Sequence, residues 1–178
     1  MRPPARPPAG ITLIELAIAL TVIGIVLSLA APSLRGLMDR HALRGSADSL
    51  RSDLQSLRAE GIARSQRLWL AVQSGAAGSC YVAYTGNRGD CSCDAQGESR
   101  CNSTGSALRA AGFAATGRVR LSSNVGPMRF DPVLGTVSPA GTFSLSTPES
   151  DSVDVVVSML GRVRSCTRSG MPGYPACS

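Results

Sequence analysis

Near the end of the chain, Gly161-Arg162-Val163-Arg164 has the residue types and spacing to grip a polyanion. Gly161 follows an apolar run and admits the positive φ of a tight turn. On the strand that returns from such a turn, Arg162 and Arg164 lie two apart. Their side chains then leave one face at roughly 6–7 Å spacing, the scale of neighbouring phosphates. Arginine adds a planar fork that bonds phosphate in pairs and stacks on bases. Arg168 extends the cluster, and Tyr174 offers a stacking surface. The same four residue types recur at Gly117-Arg118-Val119-Arg120. All 18 basic residues are arginine, so a short match of this kind arises easily here. Exposed arginines on an edge strand also discourage strand-to-strand aggregation.

Six cysteines, Cys80, Cys91, Cys93, Cys101, Cys166 and Cys177, form the second group with chemistry. Their even number and Gly/Ser-rich surroundings point to disulfides in an oxidising compartment. The rival is a metal site in which Cys91 and Cys93 join Cys80 and Cys101. Cys166–Cys177 is the favoured pair, because both flank a Gly/Pro-rich tail with little else to hold it. Nothing in the sequence frames a catalyst. His41 is the single histidine, no carboxylates pair recognisably, and no Gly-Lys phosphate loop occurs. No enzyme activity, cofactor or metal is expected. The net charge of +6 suits an acidic partner, nucleic acid or anionic lipid.

These groups need elements to carry them. From Ile11 to Leu34 the chain is apolar or small except for Glu15, long enough as a helix to cross about 30 Å of hydrocarbon. A leader with Arg2, Arg6 and four prolines precedes it, and those arginines should stay cytoplasmic. A carboxylate inside an apolar helix is costly in lipid unless it finds a partner, which makes Glu15 informative. Leu50, Leu54 and Leu57 continue at helical spacing, and Arg44, Arg51 and Arg58 share one face, as expected for a solvated surface with intrahelical ion pairs. From Arg67 the period becomes two. Strands are expected at 68–72, 80–84, 118–121, 128–130, 142–145 and 153–159. Between Thr85 and Ala107 the composition predicts a long Cys-rich loop ordered by disulfides. The fold class is α+β: a long helix over residues 11–66, then a small antiparallel sheet domain over 67–178.

Gly10-Ile11-Thr12-Leu13-Ile14-Glu15-Leu16 resembles the prepilin peptidase site of type IV pilins and type II secretion pseudopilins. The resemblance implies cleavage of leader 1–10 after Gly10 and N-methylation of Ile11, where the family usually has Phe. Glu15, fifth in the mature chain, would pair with the amine of a neighbouring subunit. Pro32 matches the helix-kinking proline of the family. Further on, Leu57–Arg64 leading into a strand, Arg129-Phe130-Asp131-Pro132, Val155-Val156-Val157-Ser158 and Gly161–Cys166 resemble the FimT/GspH group of minor pilins and pseudopilins. In FimT-type pilins a Gly-Arg-x-Arg motif at this place is associated with DNA capture in natural transformation, and Gly161, Arg162 and Arg164 match it. The resemblance implies prepilin peptidase, other pilins, the inner membrane and DNA as partners, with a single-pass anchor and a periplasmic head. A type II secretion pseudopilin, or a minor pilin that only primes assembly, fits the same fold.

Overall fold

The structure is a computed structural model; it describes residues 12–177, apart from the side chains of 29–33. Gly10 and Ile11 lie outside those residues, as does the side chain of Pro32. Helix α1 (Leu13–Ala63) is followed by β1 (Leu68–Gly75), β2 (Gly78–Thr85), β3 (Cys91–Cys93), β4 (Ser99–Cys101), β5 (Ser106–Ala114), β6 (Arg120–Ser123), β7 (Met128–Phe130), β8 (Val137–Ser138), β9 (Gly141–Ser146), β10 (Ser152–Val157) and β11 (Val163–Cys166). The chain divides into two compact units, Met1–Met38 and Asp39–Ser178.

In the first unit, Thr12 caps the helix: its hydroxyl accepts the Glu15 amide and its carbonyl the Leu16 amide. The large apolar side chains from Leu13 to Leu27 are all exposed, so this segment has no core of its own. Among the described residues no helix is long and apolar enough to cross a membrane. The span expected over residues 11–34 includes Ile11 and the side chains of 29–33, which are not described.

The second unit is a head with one main core. Leu43, Leu50, Leu54 and Leu57 are fully buried, so one stripe of α1 faces inward at helical spacing. Truncating any of them to alanine would cost about 2–5 kcal/mol. They meet Leu68 and Leu70 of β1, Tyr81 and Ala83 of β2, Met128 and Phe130 of β7, and the inward residues of β9 and β10. The strands form a five-stranded antiparallel sheet, ordered β5-β2-β1-β7-β8, and a four-stranded one, ordered β11-β10-β9-β6. Alternation decides the faces: Phe143, Leu145, Val153 and Val155 are buried, while Thr142, Ser144 and Ser146 face out.

Four local features differ from the sequence expectation. The stretch from Thr85 to Ala107 is not one loop: it holds the β3–β4 hairpin and the start of β5. Residues 106–114 are alanine-rich with no period of two, yet they form β5 because eight of them register on β2. Arg109 of β5 also pairs with Asp53 (3.4 Å) and Glu60 (3.3 Å) of α1. On the helix, Arg44 and Arg58 do not form intrahelical ion pairs. Arg44 donates to the Pro172 carbonyl and Arg58 to that of Gly135, so they clasp loops; the i,i+4 pair is Glu60–Arg64. The last long strand stops at Val157, because Ser158–Gly161 form a turn.

Candidate nucleic-acid interface

The turn between β10 and β11 closes through Gly161 N–H to Ser158 O (2.9 Å) and Ser158 N–H to Arg162 O (3.0 Å). Gly161 has φ +73°, and a Cβ there would lie 2.6 Å from Arg58 Nε and 2.7 Å from Gly135 O. Glycine is required twice over, by the left-handed backbone and by the approach of α1 and the β7–β8 loop. Val163 is buried, and Arg162 and Arg164 on either side of it are exposed. Neither arginine forms an ion pair among the described residues.

Arg164 stands on the outward face of the four-stranded sheet, in register with Val156 of β10 and, through it, Thr142 of β9. The next outward row toward the chain end is Cys166–Asp154–Ser144–Ser122. At the far edge Arg120 registers with Ser146, again on the outward side, because Leu121 is buried. Arg120 and Arg164 thus share a serine- and threonine-lined face from opposite edge strands, about 20 Å apart by strand geometry. Arg120 was legible only as part of a repeated motif, and register is what puts it on this face.

Arg168 is already engaged. Its Nε donates to Asp154 Oδ2 at 2.5 Å and its Nη2 to the Ser144 hydroxyl at 3.2 Å. The pair holds the Arg168 guanidinium firmly in its charged form, through the hydrogen bond first and the charge second. It also offsets Asp154, a buried carboxylate on this face. Arg118 pairs with Asp39 at 3.7 Å. Tyr174 does not provide the expected stacking surface beside Arg164. It packs against the main core, next to Arg44, Asp48 and Arg51 of α1, and burial raises its pKa.

The cysteines form three disulfides, Cys80–Cys93, Cys91–Cys101 and Cys166–Cys177, which leaves no described thiolate for a metal. The last ties the tail back onto β11, where Thr167 and Cys177 also exchange a backbone bond of 3.1 Å. Cys91–Cys101 staples β3 to β4 within their hairpin, and Cys80–Cys93 fastens that hairpin to β2 on the outward face of the five-stranded sheet, enclosing a small second core around Ala71, Val82 and Tyr84. Glu15 is exposed in the first turn of α1. Sequence reasoning passed over one feature beside the Arg162 turn. Met159 and Leu160 at its tip are 67% and 76% exposed, and Val133 and Leu134 on the adjoining β7–β8 loop are 84% and 74% exposed. The turn is tied to the start of β8 by Val137 N–H to Met159 O, 2.9 Å.

A helix laid on antiparallel sheets, an N-terminal apolar helix and this head topology define a pilin-like subunit. The family described as "Type II transport protein GspH" matches residues 46–161, and the prokaryotic N-terminal methylation motif matches residues 6–31. The chain belongs to this GspH/FimT family of type IV pilin-like minor pilins and pseudopilins. It is similar to the type IV minor pilin FimU of Pseudomonas aeruginosa in two crystal forms. One matches with 17% identity and TM-score 0.51 over 74% of this chain and 98% of that one. The other matches with 16% identity and TM-score 0.50 over 76% and 96%. The minor pseudopilin EpsH of the Vibrio cholerae type 2 secretion system matches with 15% identity, TM-score 0.48, over 72% and 98%. At these identities the FimU likeness is one of fold. No curated protein sequence matches the chain. The motif and the family imply a membrane-anchored subunit assembled with other pilins into a filament.

Proposed function

We propose that this chain is a minor type IV pilin whose head captures extracellular DNA through Arg162 and Arg164 for natural transformation. The supporting observation is the exposure of these two arginines, without a carboxylate partner among the described residues, at the edge of a serine- and threonine-lined sheet face. Gly161 positions them, Arg120 lengthens the track, and Arg168 keeps Asp154 from repelling the strand. Recognition is by phosphate and therefore independent of sequence. In this reading prepilin peptidase cleaves after Gly10 and methylates Ile11. Residues 11–34 hold the precursor as a single pass in the inner membrane with the head in the periplasm. Glu15 then pairs with a neighbour's amine, and Pro32 bends the helix in the filament.

Fluorescence anisotropy of a labelled duplex against the full chain in neutral detergent tests the proposal across a salt series. Binding should weaken with a log–log slope near −0.9 per phosphate engaged. Arg162→Gln/Arg164→Gln should lower the magnitude of that slope by about 2 and the affinity by about tenfold or more. Equal binding by the double variant would remove the site.

The apolar tips favour a second reading. Four exposed large apolar side chains beside Arg162 form the type of patch that docks a protein. In a secretion pseudopilin or an assembly-priming pilin, another pilin head would cover them. Met159→Ser/Leu160→Ser would then abolish filament assembly while leaving duplex binding unchanged.

A further inference from the structure

The β3–β4 hairpin covers the outward face of the five-stranded sheet over β2 and over Ala71 and Gln73 of β1, and leaves the part at the Trp69 end of β1, β7 and β8 open. Trp69 of β1 lies there, directly opposite Arg129 of β7, which in turn faces Ser138 of β8. Their Cβ atoms are cross-strand neighbours at about 5 Å, so indole, guanidinium and hydroxyl form one row across three strands. The indole is held in place: its Nε1–H donates to Gly86 O at 3.1 Å. From the same β2–β3 loop Arg88 reaches across to Gly126, where its Nη2 lies 3.7 Å from the position of an added Cβ. Pro127 and Pro139 close the sides, and the result is an open cleft of about 380 Å³.

No carboxylate lines this cleft. Neither Arg88 nor Arg129 forms an ion pair among the described residues; Asp131, the acid nearest Arg129 in sequence, spends its carboxylate on the Val133 and Leu134 amides. Two guanidiniums beside a fixed indole, flanked by Pro127 and Pro139, offer an anion site and a stacking platform side by side. That pairing of chemistry is the one single-stranded nucleic acid requires, a π-face for the base and a cation for the phosphate. A sheet face carrying an aromatic residue in register with a basic one supplies it on a rigid frame. The size of the cleft fits one nucleotide rather than a duplex, whose bases are already stacked.

We infer that the Trp69–Arg129–Arg88 cleft binds a nucleotide of single-stranded DNA, with the base on the Trp69 indole and its phosphate between Arg88 and Arg129. The inference rests on the nucleic-acid reading for the class of ligand only; its residues lie on the other sheet from Arg162 and Arg164. Threading a single strand here, with duplex held at the four-stranded sheet, would let one head hold a frayed DNA end.

Trp69 is the single tryptophan, so its fluorescence reports this cleft alone. The full chain in neutral detergent is titrated with a ten-residue oligothymidylate, with a duplex, and with polyphosphate at equal charge. Oligothymidylate should quench Trp69, and duplex and polyphosphate should quench it far less. Arg88→Gln, on an exposed loop, should weaken the quenching titration by about tenfold with an unchanged thermal melt. Arg162→Gln/Arg164→Gln should leave it in place, so this site and the duplex site fail separately. Absence of quenching where labelled oligothymidylate is bound would overturn the inference. So would equal quenching by polyphosphate, or an Arg88→Gln titration matching the wild type.

Discussion

Gly117-Arg118-Val119-Arg120 and Gly161-Arg162-Val163-Arg164 are the same four residues, and they lead into the two opposite edge strands of one sheet. In both, the valine is buried and the second arginine projects outward. Their difference lies in what the surrounding fold supplies. The first arginine of the Gly117 copy is paired with Asp39, whereas that of the Gly161 copy has no such partner among the described residues. Gly117 follows β5 in an ordinary backbone conformation; Gly161 turns at φ +73° against Arg58 and Gly135. A short motif thus becomes two positive charges at one edge of the sheet and only one at the other. Charge availability, set by Asp39 far upstream in the chain, separates the copies.

The two glycines differ most in backbone conformation. Gly161→Ala forces a Cβ into left-handed backbone and onto Arg58, and should destabilise the head by about 2–4 kcal/mol. Gly117→Ala meets only the Ala114 carbonyl, at 2.9 Å, and should cost about 1 kcal/mol. Urea melts of the two variants compare them directly; equal losses would mean that the turns are equivalent.

Binding gives the next largest difference. Arg162→Gln/Arg164→Gln should weaken duplex binding by about tenfold or more, and Arg118→Gln/Arg120→Gln by about two- to threefold. A reversal of that order in anisotropy titrations would move the interface to the β6 edge.

Releasing an engaged arginine should act in the opposite direction. Asp154→Asn removes the buried carboxylate of the outward face and frees Arg168, and should raise duplex affinity by about threefold at low salt. Its melt should fall, because Arg168 loses its partner. Asp39→Asn frees Arg118 in the same way, but that pair is half-exposed. Its effect on stability should stay within about 1 kcal/mol, with affinity rising by less than in Asp154→Asn. Increased affinity in neither variant would show that pairing is not what silences these arginines.

Away from that face, Tyr81 supplies a pH test of the core that both copies rest on. Burial first, and then its 2.6 Å bond to Asp53, raise the Tyr81 pKa above the ordinary phenol value. A raised folded-state pKa on an acid favours the protonated form. The contribution is therefore complete below about pH 10 and is lost as pH rises beyond it. Tyr81→Phe should flatten that alkaline loss in thermal melts from pH 8 to 12; an unchanged profile would assign it to another group.

How much of this was legible before folding depends on whether the signal was local. The α1 leucines, the β1 and β9 alternations and the Gly161 turn are written in spacing, because helix and strand impose periods of 3.6 and 2 on whatever is buried. Strand β5 was not legible: its alanines carry no pattern, and pairing with β2 together with the Arg109 bonds to α1 fix its state. The arginine heptad was legible as a face but misread as ion-paired, since the loops it clasps arrive from beyond residue 130.

The family signature, the α+β layout, the even set of cysteines and the two arginines that flank Val163 can all be read before any fold is known. Each follows from residue types at fixed short separations. Folding alone fixes which arginines find a carboxylate, that Arg120 shares a face with Arg164, that Tyr174 packs against the core, and that Trp69, Arg88 and Arg129 meet. Those are facts about register and long-range contact. Strand pairing sets them across tens of residues, and no local period carries that information.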